Sequence, residues 1–436
     1  MGVKKGEMMR RWAAVAVAFG ILLFLGAQES PGTDLLHLDP YQKMAYRVKP
    51  AMVRVMAFVQ GTVTYETEEG KKSDREVFTG GSGSGFIVSP NGFVVTNGHV
   101  VETIHNFNTN KDLVVNEILR AFLIKKIEQS NLPPTRESAL QLAAKLKPQV
   151  TDLQPGNFVF LANLKKYPYE IKQYSKAISA AARERGGEGK DIAVLKIEGR
   201  ELPTVKLGDS DKVHLQELIF AFGYPGAADT RFLDRRSQVA EVTISRGTVS
   251  AVKTDFKGMP IIQSDVTISW GNSGGPSLNK EGEVIGVNSY IGLTVNPFLG
   301  AVERAAGISF IVPVNAVKEF LNAAGVKEEP SLFNEVYFKA LEKIWVGRWF
   351  EGKDLLDKAL VFMPEQPDLL ALKMEAETAI REMGWFARQW QKDRTVVLIP
   401  GLILLLLLGA GGVFAVKKFR LDEKGRMRSL SGRTKG

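Results

Sequence analysis

Phe86-Ile-Val-Ser-Pro-Asn-Gly-Phe-Val-Val-Thr96 is a pair of short apolar, largely β-branched runs on either side of a Pro90-Asn91-Gly92 corner. Neither run can continue through that corner, so the stretch reads as strand, turn and strand. Working outward, the pattern repeats. Similar runs lie at residues 53–59, 192–197, 218–222, 239–244, 248–252, 284–287 and 308–312, broken by Gly, Pro, Asn and Asp. Many short strands at this spacing predict a sandwich or a barrel. One interval departs from it. Val115, Ile118, Leu119, Phe122, Leu123 and Ile127 follow a helical period, Pro133-Pro134 breaks it, and residues 139–146 read as another helix. The expectation is an all-β unit over residues 41–325 with a helical insertion at about 104–157, preceded by a Pro/Gly-containing linker at 28–40.

Three short motifs carry the chemistry. Thr96-Asn-Gly-His-Val-Val101 follows a predicted strand, Asp191-Ile-Ala-Val-Leu-Lys-Ile197 puts a carboxylate at the head of one, and Gly271-Asn-Ser-Gly-Gly-Pro276 surrounds a serine with glycine. A hydroxyl is a poor nucleophile until a neighbouring base takes its proton. Imidazole suits that task because its pKa lies near working pH, and a buried carboxylate fixes its tautomer. Glycines around the serine allow a sharp turn whose N–H groups converge on a developing oxyanion. Singly, each motif has a plain reading: a turn, a structural histidine, a solvated strand-end charge. Their order His, Asp, Ser on β-type sequence matches the chymotrypsin arrangement.

On these residues the chain resembles the HtrA (DegP) family of trypsin-like serine proteases. The likeness runs through Gly81-Ser-Gly-Ser-Gly-Phe-Ile-Val88, the three motifs above, Leu207-Gly-Asp-Ser-Asp211, Phe222-Gly-Tyr-Pro-Gly226, Gly247-Thr-Val-Ser-Ala251, Gln263-Ser-Asp265, Gly282-Glu-Val-Ile-Gly-Val-Asn288 and Gly307-Ile-Ser-Phe-Ile-Val-Pro313. It implies a chymotrypsin-like double β-barrel with His99 as general base, Asp191 as its orienter and Ser273 as nucleophile. The backbone N–H groups of Gly271 and Ser273 would form the oxyanion hole. Thr267, Ile268, Trp270, Ile308, Ser309 and Phe310 would line an apolar substrate pocket. No cofactor or metal is implied, and trimers are. The glycine-rich stretch at 80–85 is then barrel backbone and not a phosphate loop, since no Gly-Lys-Ser/Thr ending or helix follows it. His37, His105 and His214 read as loop residues. Departures are equally specific. Asn272 stands where digestive enzymes have Asp, so activation by a buried new N-terminus is not expected. Trp270 and Ser269 replace the family's usual Pro and Asn, and an indole beside the oxyanion loop would hold it inactive or shape the pocket. His99 and Asp191 are 92 residues apart, well beyond the family norm. No PDZ-like sequence follows.

Composition sets the remaining limits. The chain has 436 residues, 44% hydrophobic and 24% charged, which excludes wholesale disorder. It carries no cysteine, so disulfides and thiolate chemistry are excluded. The net charge of +9 sits entirely at the two ends: Lys4, Lys5, Arg10 and Arg11 against Glu7, and eight basic residues against Asp422 and Glu423 in 417–436. A neutral body argues against nucleic acid as a partner. Both basic ends flank apolar runs. Residues 1–27 read as a signal peptide or an N-terminal membrane anchor, with Leu25-Gly26-Ala27 an imperfect cleavage site. Residues 395–416 carry no charge and are long enough to cross about 30 Å of hydrocarbon. The positive-inside rule then places the tail 417–436 in the cytoplasm and the protease domain in the periplasm or exterior.

Between the two lies residues 331–392, helical in pattern. Gly347, Trp349, Leu356, Ala359, Leu360 and Pro364 resemble the second half of one tetratricopeptide repeat. Trp345, Trp349, Phe350 and Trp385 would either close a small core or anchor a protein partner. The reading is a membrane-anchored serine endopeptidase acting on misfolded or regulatory polypeptides at the inner membrane. The alternative is a catalytically silent or gated protein-binding scaffold.

Overall fold

A computed structural model describes residues 34–177, 189–226, 241–255, 258–289, 293–295, 302–304, 307–327 and 329–392, with Lys417 and Leu421. The expected leader at 1–27, the expected span at 395–416 and nearly all of the basic tail lie outside the described residues. Among the described residues no helix is long and apolar enough to cross a membrane.

Two rings of strands form as the alternation predicted. β1 (Met52–Thr67), β2 (Gly70–Ser89), β3 (Phe93–Thr96), β4 (Gln149–Leu161), β5 (Lys166–Tyr174) and β6 (Ala193–Ile197) close a barrel in the order β1-β2-β3-β6-β5-β4. Along β1 the period is two: Val53, Val55, Ala57 and Val59 are fully buried, and from Val55 onward the residues between buried ones are half-exposed. The second ring follows after β7 (Lys206–Leu207). It comprises β8 (Leu218–Gly223), β9 (Thr243–Thr254), β10 (Pro260–Ser264), β11 (Pro276–Leu278), β12 (Glu283–Ser289) and, beyond the ribbon of β13 (Leu293–Val295) and β14 (Val302–Arg304), β15 (Ser309–Pro313). Its order is β11-β8-β9-β10-β15-β12, closed by pairing of β11 with β12, and β7 adds parallel to β12.

The core lies inside and between the rings. Met52, Phe86, Val95 and Val194 of the first barrel meet Phe220, Phe222, Leu278 and Val287 of the second. The cluster is sealed by Met44 and Val48 of α1 (Pro40–Val48) and by Val317 and Leu321 of a later helix, Val314–Ala323. Each such side chain contributes about 1.5–3 kcal/mol over its exposed state. Ile219, Val249, Ile262 and Ile311 fill the second barrel.

Helices occupy the long interval between His99 and Asp191: α2 (Gly98–Thr109), α3 (Lys111–Gln129) and α4 (Arg136–Leu146). Val114, Ile118, Phe122 and Ile127 of α3 are buried, the Phe122 ring tilted against Tyr65 on β1 with centroids 5.0 Å apart. Two expectations need correcting. The helical excursion ends at Leu146, because β4, inside the expected insertion, pairs with β1 and completes the barrel. The expected linker at 28–40 contains a 3-10 turn at Asp34–His37 with Leu35 buried, and Asp39 caps α1 with a capping box.

With Val314–Ala323 as α5, four further helices follow: α6 (Leu332–Ile344), α7 (Trp349–Phe362), α8 (Pro367–Glu382) and α9 (Trp385–Lys392). The chain divides into two units, Leu38–Lys339 with Leu355–Ala371, and Met1–His37 with Ala340–Asp354 and Leu372–Gly436. In the second unit the Gln391 side chain accepts from the Trp349 N–H at 3.0 Å and donates to the Gly347 carbonyl at 2.6 Å, holding the two ends of that segment together. Trp345 and Trp349 are core residues, whereas Trp385 is exposed.

Candidate active site

β3 delivers the segment that bears His99. It ends at Thr96, Asn97 turns the chain, and α2 begins at Gly98, so His99 stands in the first turn of a helix. Only glycine fits at 98, because a Cβ there would come within 1.9 Å of the Ser175 carbonyl oxygen. The His99 ring faces Asp191: Nδ1 lies 3.0 Å from Oδ1 and 2.9 Å from Oδ2. A carboxylate accepts only, so Nδ1 carries the hydrogen and Nε2 keeps its lone pair.

Asp191 is 1% exposed and precedes β6. Its φ of 53° is left-handed, a conformation Asp tolerates better than most residues when the surroundings hold it. They do. Its N–H donates to the Lys176 carbonyl at 2.9 Å, and its own carbonyl accepts from Asn97 Nδ2 at 2.9 Å. Oδ1 accepts the His99 backbone N–H at 3.0 Å and Oδ2 accepts the Ser289 hydroxyl at 2.6 Å. Both oxygens are thus committed. Partial burial of His99 lowers its pKa, but the Asp191 charge and hydrogen bond, aided by Glu102, outweigh it and leave the pKa above the ordinary 6.5.

Ser273 sits 4% exposed in the turn between β10 and β11. The turn is tight for a stated reason: Gly274 has φ 88°, and a Cβ there would lie 2.1 Å from the Ser84 carbonyl oxygen. Gly271 has φ 96°. The Trp270 carbonyl is held by the Gly226 N–H at 2.6 Å, the Asn272 N–H by the Ser269 carbonyl at 3.0 Å and the Gly274 N–H by the Asn288 carbonyl at 2.9 Å. Among the described residues the N–H groups of Gly271 and Ser273 donate to no backbone or side-chain acceptor, and no hydrogen bond joins the His99 ring to Ser273. Asn272 is buried with its Oδ1 unpartnered, a neutral amide where an N-terminal amine would need a carboxylate.

The other expected residues scatter more. Ser309 and Phe310 lie on β15 beside Ser264 and Gln263 of β10, and Phe310 also faces Ser289 on β12. Thr267, Ile308 and Trp270 are exposed, Trp270 by 65%. Ile268 is buried in the second barrel with Val266, Ile262 and Ile311. His105, expected in a loop, lies on α2 and stacks on Tyr174 at 3.7 Å. Ser289, Asn97 and Ser84 are the contributors that motif reading missed. Asn97 and Ser84 lie inside recognised stretches and Ser289 next to one, but nothing in a single strand announces which polar side chain a distant segment will meet.

The family model of the trypsin-like peptidase domain matches residues 83–287. A "probable periplasmic serine endoprotease DegP-like" of Pseudomonas savastanoi pv. phaseolicola is 29% identical over 58% of this chain and 36% of its own length. Proteins with the same description from Pseudomonas putida (strain F1) and Marinomonas sp. (strain MWYL1) are 37% and 39% identical over 30% and 28% of this chain, and 24% and 23% of theirs. The chain therefore spans about a third or less of these relatives.

Proposed function

We propose that this chain, whose residues 83–287 match the trypsin-like peptidase domain, is a serine endopeptidase of HtrA type that cleaves polypeptides outside the cytoplasmic membrane. The observation that carries the reading is the buried Asp191 carboxylate bound to His99 Nδ1, which leaves Nε2 as the basic nitrogen. Ser273 Oγ attacks the scissile carbonyl carbon while its proton passes to His99 Nε2. The tetrahedral oxyanion is received by the N–H groups of Gly271 and Ser273. The imidazolium, stabilised by Asp191, returns the proton to the amine as the C–N bond breaks, and water then hydrolyses the acyl ester by the same route.

The absence of a His99–Ser273 hydrogen bond among the described residues favours one second reading, a gated enzyme or scaffold whose site closes up only with a substrate or partner bound. Unliganded sites often show such loose geometry. Thr267 and the Ile308–Phe310 stretch, with Trp270 at the rim, form the specificity wall in this reading. It includes no carboxylate to compensate a buried cation, so a Val, Ala, Ile or Leu precedes the cut. Residues 395–416 tether the enzyme, residues 417–436 stay cytoplasmic, and residues 331–392 dock a partner protein or a neighbouring protomer of a trimer.

A peptide-library digest with wild type and Ser273→Ala tests the reading. Expected is cleavage after small or medium apolar residues that vanishes in the variant. Cleavage mainly after Lys or Arg, or equal cleavage by the variant, contradicts it.

A further inference from the structure

Ser84 is fully buried on β2, inside the glycine-rich stretch, and makes four hydrogen bonds, three to segments far away in sequence and one to the neighbouring strand β3. Its hydroxyl donates to the Gly271 carbonyl at 2.6 Å and accepts from the Tyr224 N–H at 2.8 Å. Its N–H donates to the Ser273 carbonyl at 2.8 Å, and its carbonyl accepts the Thr96 hydroxyl at 2.7 Å. Thr96 is three residues before His99. One residue of the first barrel thus meets the serine turn, the end of β8 and the segment that bears the base.

We infer that Ser84 is a positioning residue for the oxyanion hole: its hydroxyl fixes the Gly271–Ser273 turn so that the two free N–H groups converge. The inference rests on the proteolytic reading above. A peptide unit is planar, so holding a carbonyl also orients the N–H across the same bond. The Trp270–Gly271 peptide, which carries the Gly271 N–H, is held by Gly226, and the Gly271–Asn272 peptide by the Ser84 hydroxyl. The Asn272–Ser273 peptide, which carries the Ser273 N–H, is held by the Gly275 N–H, and the Ser273–Gly274 peptide by the Ser84 N–H. Ser84 thus holds the peptides on either side of the Ser273 donor. Gly271 lies between the first two. Glycine offers no side-chain restraint of its own, and here the restraint on both flanking peptides comes from outside the turn. A serine hydroxyl is a single rotor, and both its donor and acceptor roles are taken by backbone, so it cannot swing away. The pocket around it is closed: a Cβ on Gly223 would come within 2.9 Å of Ser84 Oγ. Alanine at this position would leave a buried N–H and a buried carbonyl unsatisfied with little space for water, and the turn would rotate to satisfy them.

The test uses the full-length protein with Ser84→Ala and Ser84→Cys. Steady-state kinetics on a peptide amide are read beside the affinity of a peptide boronate, which forms a tetrahedral anion on the serine, and of a cleaved product peptide. The expected result for Ser84→Ala is a kcat lower by about 10- to 100-fold with KM within about twofold, since the lost restraint acts on transition-state donors. Boronate affinity falls by the same factor, product affinity holds, and the pH midpoint of kcat/KM stays in place. Ser84→Cys, a near-isostere with a weaker donor, falls between. Equal losses in kcat, boronate and product affinity would make Ser84 an ordinary packing residue and overturn the inference, as would wild-type values in all three. Should Ser84→Ala not fold, Ser84→Cys decides alone, with an unchanged kcat and boronate affinity as the contrary result. Wild type that neither cleaves nor reacts with boronate would sink the proteolytic reading itself, and the inference with it. Activity in wild type with no change in either variant sinks only the inference.

Discussion

At the scale of single residues, the His99–Asp191 contact makes quantitative demands. Ser273→Ala or His99→Ala removes the nucleophile or its base, and kcat falls by about 10⁶. Asp191→Asn offers Nδ1 the choice of an acceptor or a donor and lets the wrong tautomer form, for a fall of about 10⁴. The pH profile carries the sign. The base works only when neutral, and Asp191 raises the His99 pKa above 6.5, so kcat/KM is lost as pH falls through a midpoint above 6.5. In Asp191→Asn the charge is gone and the residual activity has its midpoint shifted down. Kinetics from pH 5 to 9 check this, and a wild-type profile flat to pH 5 would remove the imidazole from the account. His99, Asp191 and Ser273 stood out in the sequence because each sits in a short motif. Ser84 and Ser289 did not, because what marks them is a partner 187 or 98 residues away.

Among elements, strand alternation and the helical period of α3 were legible, and the register that joins them was not. Nothing local shows that β4 belongs to the barrel: its residues beyond the helices become a strand by pairing with β1, from Gln149 opposite Thr64 to Leu161 opposite Val53. Tertiary pairing decided where the insertion ended. Ile268, expected on the pocket wall, also packs into the second barrel's core, a contact that its position between motifs does not announce. The helices of the insertion are anchored on β1 chiefly by Ile118 and Phe122, both fully buried. Ile118→Ala should therefore cost about 2–5 kcal/mol, read as a lower denaturant midpoint with an unchanged m-value. Its kcat at low temperature should match wild type. A loss of less than about 0.5 kcal/mol, the scale of a surface substitution, would show α3 to be a loosely held appendage.

For the whole molecule, the charge distribution is the guide. A neutral body between two basic ends, each beside an apolar run, reads as topology and not as a nucleic-acid surface. Ending the chain at Lys392 should release it from the membrane fraction into the soluble extracytoplasmic fraction, as followed by fractionation and immunoblot. A truncated chain that stays with membranes would move the anchor to residues 1–27. The central claim, that Ser273 is a nucleophile activated by His99, is tested most directly by a fluorophosphonate label. The protein should be incubated with and without candidate substrates, and the adduct located by peptide mass spectrometry. The account predicts one stoichiometric adduct, on Ser273, absent in Ser273→Ala and slowed by orders of magnitude in His99→Ala. No adduct in the wild type under any condition, or an adduct that persists in Ser273→Ala, would contradict it.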